Sequence, residues 1–227
     1  MSSQRIRSIM EAKRKMCRHT FYAGEKTLPQ FHAEVLPMAR FTVDEQTELV
    51  QLSAEHADEL FRLIEVHREW LSQWFAWPAG VRSPLDSLTF IRRLDTQWKD
   101  DEAAGFGLFT DGKLMGVVEL SHLDSADRCG RLGFWLAPAA GGRGRMTRAC
   151  EVLTGWAFEK AELNRLEIRT AVDNARGRAV PERLGFKLEG IARQAKRLGD
   201  RYADVAIYAM LASQWLEMSR LARHIGY

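Results

Sequence analysis

The apolar positions of this chain change period along its length, and each change marks an element. Between residues 57 and 66, Ala57, Leu60, Phe61, Ile64 and Val66 recur every three or four positions, the spacing of one helical face. Ser53, with Glu55 just after it, is the expected start of that helix. A second helical piece is read over residues 67–75. A third runs from Pro84 to about 100, with Leu88, Ile91, Leu94 and Trp98 on one side. Elsewhere the period is two. Residues 41–43 and 47–52 read as a strand pair. Residues 106–110 and 113–120 read as a hairpin around Asp111-Gly112, a dipeptide suited to tight turns.

The second half alternates. A strand is expected at 129–137, then a helix at 147–160 packed through Ala149, Val152, Leu153, Trp156 and Phe158. A strand at 165–171, a helix at 176–184, an antiparallel pair at 188–198 and 202–211, and a helix at 213–224 complete the order. The pattern is mixed α/β: antiparallel strands first, then a strand–helix–strand unit. A right-handed crossover between parallel strands is the expectation for that unit.

Composition narrows the class. Of 227 residues, 46% are apolar, enough for a substantial core. No apolar run approaches the roughly 18–20 residues of a membrane span, and no secretory pattern opens the chain. Cys17, Cys129 and Cys150 lie far apart and form neither a metal nor a disulfide pattern, so a reduced, cytoplasmic setting without metal is expected. The net charge of +3 is mild, but it is uneven. Arg5, Arg7, Lys13, Arg14, Lys15 and Arg18 crowd residues 1–20 against one acid, Glu11. A solvated extension is the preferred reading of this arm; contact with RNA or an acidic partner is the alternative. Three segments are expected: a basic extension over 1–40, the main domain over 41–216 and a helical tail over 217–227.

The candidate chemistry begins at Gly141-Gly142-Arg143-Gly144-Arg145-Met146-Thr147, where bare backbone meets the start of a helix. Free N–H groups and the helix dipole make an anion site there, reinforced by Arg143, Arg145 and Arg148. The glycines do not follow the dinucleotide spacing Gly-x-Gly-x-x-Gly. The preceding strand carries Gly133-Phe134-Trp135-Leu136. After the loop helix come Leu163-Asn164-Arg165-Leu166-Glu167-Ile168-Arg169, then Asn174, then Pro181-Glu182-Arg183-Leu184-Gly185-Phe186.

These five blocks, in this order, resemble the acetyl-CoA core of the GNAT N-acetyltransferases, within them the RimJ/RimL type that acetylates protein N-termini, notably of ribosomal proteins. The likeness extends from about residue 49 to 216. It implies a mostly antiparallel central sheet, splayed at a parallel strand pair and flanked by helices. Acetyl-CoA would be the co-substrate, its pantetheine pairing with strand 133–137. Leu136, Ala137, Gly142, Arg143, Gly144, Arg145, Met146, Thr147 and Asn174 are the implied cofactor contacts. The aromatic stretch Trp70, Trp74 and Trp77 resembles the family's substrate side, with core packing as the plainer reading; Arg68 and Glu69 are the neighbours expected to face a peptide channel. The implied acceptor is a protein N-terminus or a small amine, with ribosomal proteins among the candidates. Neither a membrane nor, apart from the basic arm, nucleic acid is implied; the assembly would be a monomer or homodimer.

The chain departs from the family's pattern at its proton-handling positions. The family's Asn-x-x-Ser is Asn174-Ala175-Arg176-Gly177, and the acids of two other relatives' positions are Arg131 and Lys196. An arginine is no base at neutral pH, and a lysine is one only with a lowered pKa. Glu119, on the strand before the cofactor strand, and Tyr202, on the last strand, are the residues assigned to catalysis in their stead, with His122 and Tyr208 as lesser candidates. Cys150, inside the loop helix, is read as packed rather than nucleophilic. The alternative function is a GNAT-fold protein that binds acyl-CoA or a partner without turnover.

Overall fold

The computed structural model describes residues 39–225, with side chains to Leu221. The basic arm, the connection after it and Cys17 lie outside the described residues.

Eight strands form one sheet in the order β1-β2-β3-β4-β5-β6-β8-β7. They are β1 (Arg40–Thr42), β2 (Thr47–Gln51), β3 (Ala104–Thr110), β4 (Lys113–Asp124), β5 (Cys129–Leu136), β6 (Arg165–Ala171), β7 (Lys187–Leu198) and β8 (Arg201–Leu211). Every neighbouring pair is antiparallel except β5 and β6. The helices are α1 (Ala57–Val66), α2 (Arg68–Ser72), α3 (Pro84–Lys99), α4 (Arg145–Glu159), α5 (Ala175–Arg183) and α6 (Ala212–Ile225).

Helices cover both faces, which is why β3 is buried at every position. On one face, Leu60 and Ile64 of α1 and Ile91 and Leu94 of α3 pack on Val50, Phe109, Val117 and Trp135. On the other, Ala149, Leu153 and Ala157 of α4 pack on Phe106, Val118, Leu132 and Ile168. Side chains alternate across each strand, so one run of residues feeds two cores.

The predicted elements are present with small shifts of boundary. Asp111 and Gly112 both take positive φ, 49° and 72°, and turn β3 into β4. The first helix opens as a 3-10 turn at Ala54–His56. Its stripe holds at Ala57, Leu60 and Ile64, whereas Val66 is 76% exposed and drops out of it. The boundary read at 216 falls inside α6, a continuous helix. Among the described residues, no helix is long and apolar enough to cross a membrane.

The functional feature of the sheet is a gap. β5 and β6 pair only over Cys129–Arg131 and Arg165–Glu167. Beyond these, the facing edges of residues 132–136 and 168–171 carry no mutual ladder bonds. The sheet splays there, and it opens toward the glycine loop that follows β5 and the start of α5 that follows β6.

Candidate active site at the sheet splay

The loop after β5 shapes one end of the splay. Gly142 and Gly144 take φ of 84° and 70°, left-handed values that other residues adopt at a cost. Gly144 is the N-cap of α4 and has no side chain to cap with. The first bond within the helix runs from the Arg148 N–H to the Gly144 carbonyl, at 3.0 Å. The N–H groups of Arg145, Met146 and Thr147 therefore precede the helical ladder and form the positive end of its dipole. On the far side of the gap, Asn174 caps α5 by accepting the Gly177 N–H at 2.9 Å.

Between these ends lies a cleft of about 530 Å³. Leu136, Ala137, Gly142, Gly144, Arg145, Met146, Thr147 and Asn174 line it, as do Trp70 and Trp74. Arg143 is absent from its wall and points to solvent. Arg148 is likewise turned away: it pairs with Asp44 at 2.7 Å and donates to the Arg143 carbonyl. Of the three arginines read as the cradle's charge, Arg145 alone lines the cleft.

A second cavity of about 590 Å³ opens on the α1–α3 side of β5. Phe75, Phe134 and Trp135 line both, so the two spaces share a wall at the splay. Glu119 lines the second cavity on β4. Burial pushes its carboxyl above the ordinary glutamate value, with Arg93 and a hydrogen bond from Ser121 opposing. Ser87 of α3 lines it too, buried, its hydroxyl without a partner among the described residues. An unpaired buried hydroxyl costs about 1–3 kcal/mol, a penalty that a polar ligand group removes. Trp77 belongs to this cavity, its ring centroid 5.9 Å from that of Trp135 and tilted 47° to it.

Other predicted residues lie elsewhere. Tyr202 lines neither cavity and is 60% exposed. It pairs with Arg197 near the tip of the β7–β8 hairpin, past Val205, where β6 ends. Tyr208 is buried and committed: its hydroxyl donates to Glu182 at 2.6 Å and accepts from Arg178 at 2.9 Å. Arg68 does not face a channel; it ties the aromatic loop together through the carbonyls of Pro78 and Val81 and through Glu65. Arg131 pairs with Glu167 at 3.4 Å. Cys150 is fully buried, and burial pushes its thiol far up, as packing requires. The sequence reading missed Ser87, Arg93 and the shared wall of Phe75 and Phe134.

A sheet opened at one parallel pair, with a glycine cradle at one lip and a second cavity behind the same strand, is the architecture of a group transferase that holds an acyl-CoA against an acceptor. The acetyltransferase (GNAT) domain family matches residues 46–187, and the chain belongs to that family. YdaF of Bacillus subtilis (strain 168) is 33% identical over 177 residues, covering 76% of this chain and 95% of that one. The ribosomal-protein-serine acetyltransferase of Escherichia coli (strain K12) is 31% identical over 169 residues, covering 74% and 94%. The solved structure of RimL, a ribosomal L7/L12 alpha-N-protein acetyltransferase in complex with coenzyme A, superposes with a TM-score of 0.74 at 26% identity, covering 78% of this chain and 99% of that one.

Acetyl-CoA is the co-substrate, and the chain fits it. The cradle offers N–H groups to a pyrophosphate, and the free edge of β5 offers ladder partners to a pantetheine amide. Among the described residues no cluster suited to a metal occurs.

Proposed function

We propose that this protein transfers the acetyl group of acetyl-CoA to the N-terminal amine of a protein, in a ternary complex. The relatives named for ribosomal proteins make a ribosomal protein in the cytoplasm the first acceptor to test. One observation carries the reading: Glu119 lines a cavity that shares the wall of Phe134 and Trp135 with the cofactor cleft.

Acetyl-CoA supplies an activated acyl group as a thioester. The chain's residues do the rest. The cradle at residues 142–147 and the β5 edge hold the donor, and the second cavity holds the acceptor, so two reactants meet in fixed geometry. The amine arrives protonated and must lose that proton to attack. We assign that step to Glu119, acting directly or through one water. Burial raises its pKa and with it the basicity of the carboxylate, against the opposing pull of Arg93 and Ser121. Among the described residues no cysteine lines either cavity for a covalent intermediate, and Cys150 is sealed in the core.

The test is Glu119→Gln. Coenzyme A binding measured by calorimetry is expected to be unchanged, while coenzyme A release with amine peptides falls by about 10²- to 10⁴-fold. The base works deprotonated, so wild-type kcat/KM falls as pH drops through the raised Glu119 pKa, and that acidic limb vanishes in the variant. Full turnover in Glu119→Gln would remove Glu119 from the mechanism. Binding of coenzyme A without release in the wild type would favour the reading in which the fold binds its ligand without turnover.

A further inference from the structure

We infer that the acceptor is an acidic peptide N-terminus, selected by Lys196, over the Phe75 wall that the two cavities share, and by Arg93, which lines the second; this deepens the transfer reading and rests on it.

Lys196 of β7 places its Nζ 4.7 Å from the centroid of the Phe75 ring, and Phe75 lines both cavities. The ammonium is half-buried there, and burial lowers its pKa. A face-on ring offsets only part of the lost hydration of a cation. Among the described residues no carboxylate lies within ion-pair distance of Lys196. Arg93 lines the cavity from α3, 5.4 Å from the Phe90 ring, and it too lacks an ion-pair partner among the described residues. Arg93 acts on the Glu119 carboxylate without forming an ion pair, and Lys196 sits over the shared Phe75 wall without one, so both keep capacity for the acceptor's charges.

The cavity's own acids do not fill that role. Asp86 accepts from the Ser83 N–H, the Ser83 hydroxyl and the Arg82 N–H, and so is spent on starting α3. Glu119 lies deeper, on the sheet, where the reacting amine must come. Arg68, which reaches the carbonyl of Val81 on the cavity wall, is held by the loop it organises. The charge pattern is therefore one uncommitted carboxylate, Glu119, in the cavity, with Arg93 on its wall and Lys196 over the shared Phe75. An amine followed by an acidic side chain matches it; a polyamine, whose second cation would meet Arg93 or Lys196, opposes it.

The test uses peptides that all begin with serine, differ only at positions two to four, and carry acidic, neutral amide or lysine side chains. Dissociation constants are measured by calorimetry on the full chain saturated with coenzyme A, so turnover is not needed. Acidic peptides are expected to bind roughly three- to tenfold tighter than neutral ones per well-placed acid, with the lysine peptides and spermidine weakest. The margin should shrink as salt is raised. Lys196→Gln and Arg93→Gln should each cut the acidic-to-neutral ratio while leaving coenzyme A binding intact, and Lys196→Arg should keep it. Equal affinity for the three peptide sets in the wild type, or an unchanged ratio in both glutamine variants, would overturn the inference. Acidic discrimination without any coenzyme A release from acetyl-CoA would keep it and sink the transfer reading instead.

Discussion

Gly177 stands where the family's pattern has a serine, and the structure predicts that restoring the hydroxyl does harm. A Cβ at residue 177 would lie 2.7 Å from the Thr170 hydroxyl, 2.7 Å from the Asn174 Nδ2 and 2.9 Å from the Asn174 Cγ. Ordinary contact begins at 3.4 Å, so the neighbours must retreat by about 0.7 Å. Neither can do so freely. Thr170 is buried on β6, and Asn174 is the cap whose Oδ1 accepts the Gly177 N–H. Losing that cap costs about 1 kcal/mol, and overpacking adds about 1–3 kcal/mol. For a chain of this size each kcal/mol is worth about 2–4 °C, so Gly177→Ser should lower Tm by roughly 4–16 °C. Thermal unfolding measures this directly, with coenzyme A release followed in parallel. Gly177→Ala should lose nearly as much, although glycine to alanine in a helix is ordinarily a small gain. If Gly177→Ser melts with the wild type and turns over faster, the space is open, and the substitution is a simple loss of a catalytic hydroxyl.

Two further outcomes follow from the cradle and the hairpin that borders it. Gly144→Ala forces a side chain into φ 70° and sets its Cβ 3.0 Å from the Arg148 guanidinium; it should cost about 1–2 kcal/mol in urea unfolding and weaken coenzyme A binding about tenfold or more. Asp44→Asn removes the partner of Arg148, which holds the Asp44 carboxyl at about 2 against an ordinary 3.8. Both side chains are partly exposed, so the loss at neutral pH should be only about 0.5–1 kcal/mol. Because the folded pKa is the lower one, that stability is present above 3.8 and disappears as pH falls toward about 2. Chemical unfolding of both forms at a series of pH values checks this, and a gap that widens on acidification would contradict it.

What could be read in advance was local. The cradle needs left-handed backbone at two positions and a helix start directly after, and consecutive glycines announce all of this within seven residues. Strand order across the splay was legible only through the resemblance, because pairing between β5 and β6 spans just three residues. The second cavity was not legible as a site. Its walls come from α1, α3, β4, β5 and the aromatic loop, and nothing in the spacing of Arg93 separates it from a solvated helix face. One signal was available: Ser87, Ile91 and Leu94 are the buried residues of α3, so a serine holds a place on the apolar stripe. A buried hydroxyl on such a stripe either finds a partner in the core or waits for one in a cavity, and here it lines a cavity. Tyr202 and Tyr208 show the opposite limit. Six residues apart, they project to the same face of β8 by period. Tyr208 faces Ile168 of β6 across the ladder, while Tyr202 lies beyond the last β6 pair, at Ala171 and Val205. Whether a tyrosine becomes a core tie or an exposed ring thus depends on where a neighbouring strand stops, a quantity set by the β6–α5 turn some thirty residues away and absent from the local pattern of either tyrosine.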